Sequence, residues 1–164
     1  YYTEAINLNP RNPSFYNNLG IAYFFKNKAD LAIKEFQKAL TIQPDCAETY
    51  YNMGLAEAKA GNKNESINNY FVAIKLNPDY KDAHNSLATI MFQTGNRKKA
   101  IHHYKEILRI SPQDAKAHFN IGVVFYQENN INQAISHFQE TLKIKPDYLK
   151  AKNALVHAQK NLVN

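Results

Sequence analysis

The chain has 164 residues, is 45% hydrophobic and 21% charged, and carries a net charge of +6. That profile belongs to a folded domain rather than a disordered segment. Its five glycines and six prolines exclude collagen and Pro-rich linkers, and the lone Cys46 excludes an internal disulfide. No apolar run approaches the roughly 18–20 residues of a membrane-spanning helix. Tyr1-Tyr2-Thr3-Glu4 is not the charged-then-apolar start of a signal peptide. Residues 1–81 carry 9 Lys/Arg against 8 Asp/Glu, and residues 82–164 carry 11 against 6. Only 3 of the 20 basic residues are Arg. Arg is the fork that reads phosphates and base edges, so nucleic acid is not expected as a partner, and with no spanning run neither is a membrane. A reducing, intracellular setting (cytoplasmic or nuclear) fits the single thiol.

In chain order, residues 1–12 read as the second half of a repeat, with Tyr2, Ala5 and Pro10 at spacings met again later. Pro10, Pro44, Pro78, Pro112 and Pro146 stand 34 residues apart without slippage. Residues 13–46 contain Tyr16, Leu19, Gly20 and Tyr23, then Ala32, Phe36 and Ala39. Residues 47–80 answer with Tyr50, Met53, Gly54 and Glu57, then Ser66, Tyr70 and Ala73. Residues 81–114 give His84, Leu87, Ala88 and Met91, then Ala100, Tyr104 and Ile107. Residues 115–148 give His118, Ile121, Gly122 and Phe125, then Ala134, Phe138 and Thr141. Spacings of three and four make each half of a repeat one amphipathic helix. Residues 149–164 add a capping helix, with Ala151, Leu155, Ala158 and Leu162 on one stripe.

Local chemistry marks the joints. Asn27, Gly61, Gly95 and Asn129 lie between the two helices of each repeat, where a left-handed residue closes the first. The prolines end the second helix. Asn12, Asp45, Asp79, Asp114 or Gln113, and Asp147 follow as N-cap candidates. Gly20, Gly54, Ala88 and Gly122, with Ala32, Ser66, Ala100 and Ala134, are expected to let the paired helices approach closely.

Period and pattern together resemble the tetratricopeptide repeat (TPR) family over nearly the whole chain. Glu57 at an aromatic position, and His84 and His118 at a Trp-like position, depart from its pattern. The resemblance implies an all-α, right-handed superhelical solenoid of antiparallel helix pairs, and a protein-interaction scaffold. It also implies a concave groove lined by the first helix of each repeat. The groove positions singled out here are Asn17, Asn18, Tyr51, Asn52, Asn85, Ser86, Lys116, Phe119 and Asn120.

The sixth position of the repeats reads Asn18, Asn52, Ser86, Asn120. A carboxamide offers a donor and an acceptor, the pair needed to bond an extended peptide backbone. With helices roughly 10 Å apart and an extended chain advancing roughly 3.3 Å per residue, one Asn meets about every third peptide residue. The series is similar to the asparagine ladder in the TPR arm of O-linked N-acetylglucosamine transferase and of Spindly-type fucosyltransferases. That makes a substrate-recruiting arm the alternative function. The carboxylate clamp of chaperone-adaptor TPRs is not matched. Asn17, Ile21, Asn52, Asp82 and Ser86 in one register, and Tyr51, Leu55, Ser86, Lys116 and Asn120 in the other, lack its basic set. A third reading is self-association through the truncated N-terminal repeat, since half a repeat leaves an apolar face uncovered.

No catalytic residue, metal site or cofactor is expected. His102 and His103 are adjacent and face apart on a helix. His137 and His157 have no Cys, Asp or Glu at zinc-like spacing. Phosphate-loop and nucleophile-elbow motifs do not occur. Cys46, at a repeat junction, reads as a buried structural thiol.

Overall fold

The computed structural model describes residues 2–163, and side chains from Glu4 to Leu162. The side chain of Tyr2 therefore lies outside the described residues. Ten helices and no strands occur among them. The chain forms two compact units, residues 1–83 and 84–164.

The first unit holds α1 (Tyr2–Leu8), α2 (Pro13–Phe25), α3 (Ala29–Ile42), α4 (Ala47–Ala60) and α5 (Lys63–Leu76). The boundary falls in the first turn of α6 (Lys81–Gln93). The second unit continues with α7 (Arg97–Ile110), α8 (Ala115–Gln127), α9 (Ile131–Ile144) and α10 (Leu149–Val163). Within each unit, helices consecutive in sequence pack on one another, α2 on α3, α4 on α5 and α8 on α9.

The joints follow the local chemistry. Asn27 (φ 58°), Gly61 (φ 89°), Gly95 (φ 77°) and Asn129 (φ 60°) are the left-handed residues between paired helices. Asn is the side chain that tolerates this region best, so both residue types close a helix here. The helix starts depart in part from expectation. Asn12 caps α2 by accepting from the Ser14 N–H at 3.0 Å, and Asp114 caps α8 by accepting from Ala117 at 2.9 Å. Elsewhere the aspartates stand one residue too early. Cys46, not Asp45, is the N-cap of α4, and α6 and α10 begin after Tyr80 and Tyr148 rather than after Asp79 and Asp147. Asp79 is held in the turn instead, where its N–H donates to Asn77 Oδ1 at 3.1 Å.

The glycines of the repeating small positions do more than let backbones approach, which Gly122 also does, since a Cβ there would stand 3.3 Å from the Ala134 carbonyl oxygen. A Cβ on Gly20 would stand 2.6 Å from the Phe36 ring, on Gly54 2.6 Å from Tyr70, and on Gly122 2.6 Å from Phe138. Each glycine is the seat of the aromatic ring carried by the second helix. Phe36, Tyr70 and Phe138 are among the largest fully buried side chains. In the first unit Ala32, Ile33, Phe36 and Ala56 form a core with Ile21, Tyr23, Phe24 and Met53 against it. In the second, Ala134, Phe138 and Ala158 do so with Phe119, Val123 and Leu155 among their neighbours.

Candidate peptide-binding face

The nine groove candidates sit on first helices. Asn17 and Asn18 lie on α2, Tyr51 and Asn52 on α4, Asn85 and Ser86 on α6, and Lys116, Phe119 and Asn120 on α8. Asn18 and Lys116 are exposed, and the other seven are half-buried.

Two of them are bonded to each other. Asn52 Nδ2 donates to Asn17 Oδ1 at 3.3 Å, from α4 to α2. The bond fixes both carboxamides and leaves the Asn52 oxygen and the Asn17 amide nitrogen for other partners. Beside them is a cleft of about 120 Å³ with Ile21, Phe24, Phe25, Phe36 and Leu55 as apolar walls and Glu48 and Asn52 as polar lining. Phe25 is 77% exposed and meets Phe24 edge-on, ring centroids 5.7 Å apart. Lys59 stands over the Phe24 ring, its Nζ 4.5 Å from the centroid and donating to the Phe24 carbonyl at 3.2 Å. The fifth groove position alternates in character. Tyr51 packs between Tyr70 (5.7 Å) and Tyr80 (5.0 Å), and Phe119 between Phe138 (5.8 Å) and Tyr148 (5.2 Å). At the same register Asn17 and Asn85 stand with Cys46 and Asp114 where the outer tyrosines would be. Each unit thus carries one polar and one aromatic repeat. Burial pushes the Tyr80 phenol up to about 12, with Glu48, Tyr51, Asp82 and Cys46 adding to the effect, so it stays a neutral donor.

Sequence reading missed a second set of contacts. His84 Nδ1 lies 3.1 Å from His103 Nδ1, and His118 Nδ1 lies 3.2 Å from His137 Nδ1. The available signal was a separation of 19 residues occurring twice, 34 residues apart. Cys46, expected to be buried, is half-buried and accepts from Thr49 Oγ1 at 3.1 Å. Among the described residues no group of three or more His, Cys, Asp or Glu is placed to hold a metal ion. None of their helices is long and apolar enough to cross a membrane.

Family models describe the same repeats. A TPR repeat model matches residues 22–61, 54–95 and 88–129, and tetratricopeptide repeat models match residues 1–34 and 115–148. The chain belongs to the tetratricopeptide repeat family. Solved structures of the same fold include MamA, 26% identical with a TM-score of 0.81 over 91% of this chain and 87% of that one. A MamA from Desulfovibrio magneticus RS-1 is 17% identical, with a TM-score of 0.77 over 93% of this chain and 92% of its own. The C-terminal part of a TPR repeat-containing protein from Cytophaga hutchinsonii is 22% identical, with a TM-score of 0.83 over 96% of this chain and 65% of its own. The last two likenesses concern the fold alone. No curated protein matches the chain. Family and fold together support the role of a protein-interaction scaffold.

Proposed function

We propose that the scaffold binds an extended peptide along its first helices, with carboxamides holding the peptide backbone and apolar clefts taking its side chains. The repeats that supply this face are assigned as 13–46, 47–80, 81–114 and 115–148, between a half-repeat at 1–12 and a capping helix at 149–164. The observation that carries the reading is the Asn17–Asn52 bond beside the apolar cleft. A carboxamide already tied on one side presents its remaining donor or acceptor without a further loss of rotamer freedom. About 120 Å³ suits one aliphatic or thioether side chain of a ligand. Asn18 and Asn120 carry the same side chain at the same position of their own repeats, and this recurrence with Asn52 is the sequence feature behind the asparagine-ladder likeness to transferase arms.

The test is a pull-down with the native chain beside an Asn18→Ala/Asn52→Ala/Asn120→Ala variant, read by mass spectrometry. The expected result is loss of one coherent set of partners with the variant. An unchanged set of partners would sink the reading and move binding to another surface.

A further inference from the structure

Both histidine pairs join the first helix of a repeat to the second helix of the same repeat. His84 on α6 meets His103 on α7, and His118 on α8 meets His137 on α9, ring centroids 5.4 and 5.5 Å apart. His84 and His103 are 4% and 6% exposed. His118 and His137 are half-buried, and Phe125 stacks on His137 at 5.7 Å.

The protons of the second pair can be placed. His118 Nε2 lies 3.3 Å from the Pro112 carbonyl, which can only accept, so Nε2 carries a proton. In neutral His118 the Nδ1 is then a lone pair, and His137 Nδ1–H donates to it. One added proton is accommodated, because a charged imidazole still donates to a neutral one. A second is not, because it sets two N–H groups against each other at about the distance of the present bond.

We propose that the two imidazole pairs make residues 84–163 an acid-responsive element, holding α6 to α7 and α8 to α9 near neutral pH and releasing them on acidification. The device does not depend on the peptide-binding reading. Its surroundings oppose charging. Around His103 are His84 from α6 and, from its own helix, Glu106, Lys99 and His102, whose ring was expected to face away but meets that of His103 edge-on at 5.3 Å. Burial, then the neighbouring His84 and His102 and, behind the opposing Glu106, Lys99, push His103 down to about 4. His137 is also lowered, by burial first, then by His118 and by Lys105 of α7, against Glu140. Glu106 is engaged by Arg109, with Nε donating to its Oε2 at 2.8 Å. The unfolded chain therefore binds these protons at higher pH than the fold does. The stability that neutral His103 contributes is complete above the ordinary imidazole value of 6.5 and is lost as pH falls from there toward about 4, and that of His137 is lost in the same direction.

The experiment is an NMR titration of the imidazoles in the 164-residue chain from pH 8 to pH 4, with N-acetylhistidine and a short His-containing peptide as controls under the same conditions. His103 and His137 are expected to charge at lower pH than the controls, and their charging should coincide with loss of dispersion in the α6–α9 amides. Titration alongside the controls, or charging without any change in those amides, overturns the proposal. A parallel arm follows Tm against pH for the native chain and for His84→Tyr/His103→Asn/His118→Tyr/His137→Asn. These replacements are the residues found at the same register in the second repeat, Tyr50 and Asn69. The variant should lose several degrees less between pH 7 and pH 4.5, and an equal loss counts against the device. Zinc added at pH 7.5 should leave the Tm of both unmoved. A rise in the native chain alone would make the pairs metal ligands and overturn the switch. Should the variant not fold, the native titration decides by itself.

Discussion

The two units perform one structural task with different chemistry. In the first, Tyr16 Oη donates to the Pro10 carbonyl at 3.0 Å, tying the start of α2 to the residue that ended the preceding helix. In the second, His118 Nε2 bonds the carbonyl of Pro112, the proline at the same register, at 3.3 Å. A phenol makes that bond with its only polar atom. An imidazole makes it with one nitrogen and has a second to spend. The second unit spends it on another imidazole 19 residues on, where the first unit has Glu35 and Asn69. Glu35 pairs with Lys38 at 2.8 Å, its side chain only 13% exposed, and the Lys38 ammonium stands over the Tyr16 ring at 5.8 Å. The same repeat register thus carries paired imidazoles in one unit and none in the other, where no histidine precedes residue 84, through two substitutions per repeat.

The comparison rests on the units being otherwise equivalent, and their cores test that hardest. Phe36→Ala and Phe138→Ala each empty the site where a ring seats on glycine. Each should cost about 3–5 kcal/mol, by lost burial and the cavity left behind. Urea unfolding of both variants measures it. Costs that differ severalfold would mean that one unit holds its repeats by something other than the buried ring. Filling the seat from the other side is milder. In Gly20→Ala and Gly122→Ala the new Cβ meets the ring at 2.6 Å. The overpacking costs about 1–3 kcal/mol, against about 1 kcal/mol gained in helix propensity, so both variants should be destabilised. Ala88, fully buried in the third repeat opposite the Tyr104 register, shows that a repeat can be built around a methyl there. A stabilised Gly122→Ala would mean that Phe138 can shift to admit a methyl.

How much of this was legible in the sequence depends on the distance over which each feature is decided. The left-handed closures at Asn27, Gly61, Gly95 and Asn129 were readable because one residue's backbone preference decides them. The ring seats were half-readable. The glycines stood out by period, but period does not say whether a small residue faces a backbone or a ring. The helix starts were misplaced at Asp45, Asp79 and Asp147 because composition marks a turn without fixing which of its residues is the last non-helical one. The Asn17–Asn52 bond and the imidazole pairs were invisible to spacing rules that look three or four residues along one helix. They join residues 35 and 19 apart, and only the packing of whole helices brings those together.

The smallest expected effects sharpen the comparison at the helix starts. Asn12 caps α2 and Asp114 caps α8, each by accepting from a backbone N–H. Removing that acceptor leaves an amide at the first turn without its partner. Asn12→Ala and Asp114→Ala should therefore each cost about 0.5–2 kcal/mol. Asp114 carries a full charge at the positive end of the α8 dipole, so its loss should sit toward the upper part of that range and shrink with added salt, while that of Asn12 should not. Asp45 and Asp147 are exposed, and neither is the residue from which a helix starts. Their alanine variants should fall within about 0.5 kcal/mol of the native chain. Thermal unfolding of the four single variants at two salt concentrations separates these outcomes. A cost at Asp45 equal to that at Asn12 would place the true start of α4 one residue earlier in solution. The expected aspartate cap would then stand at this repeat as well.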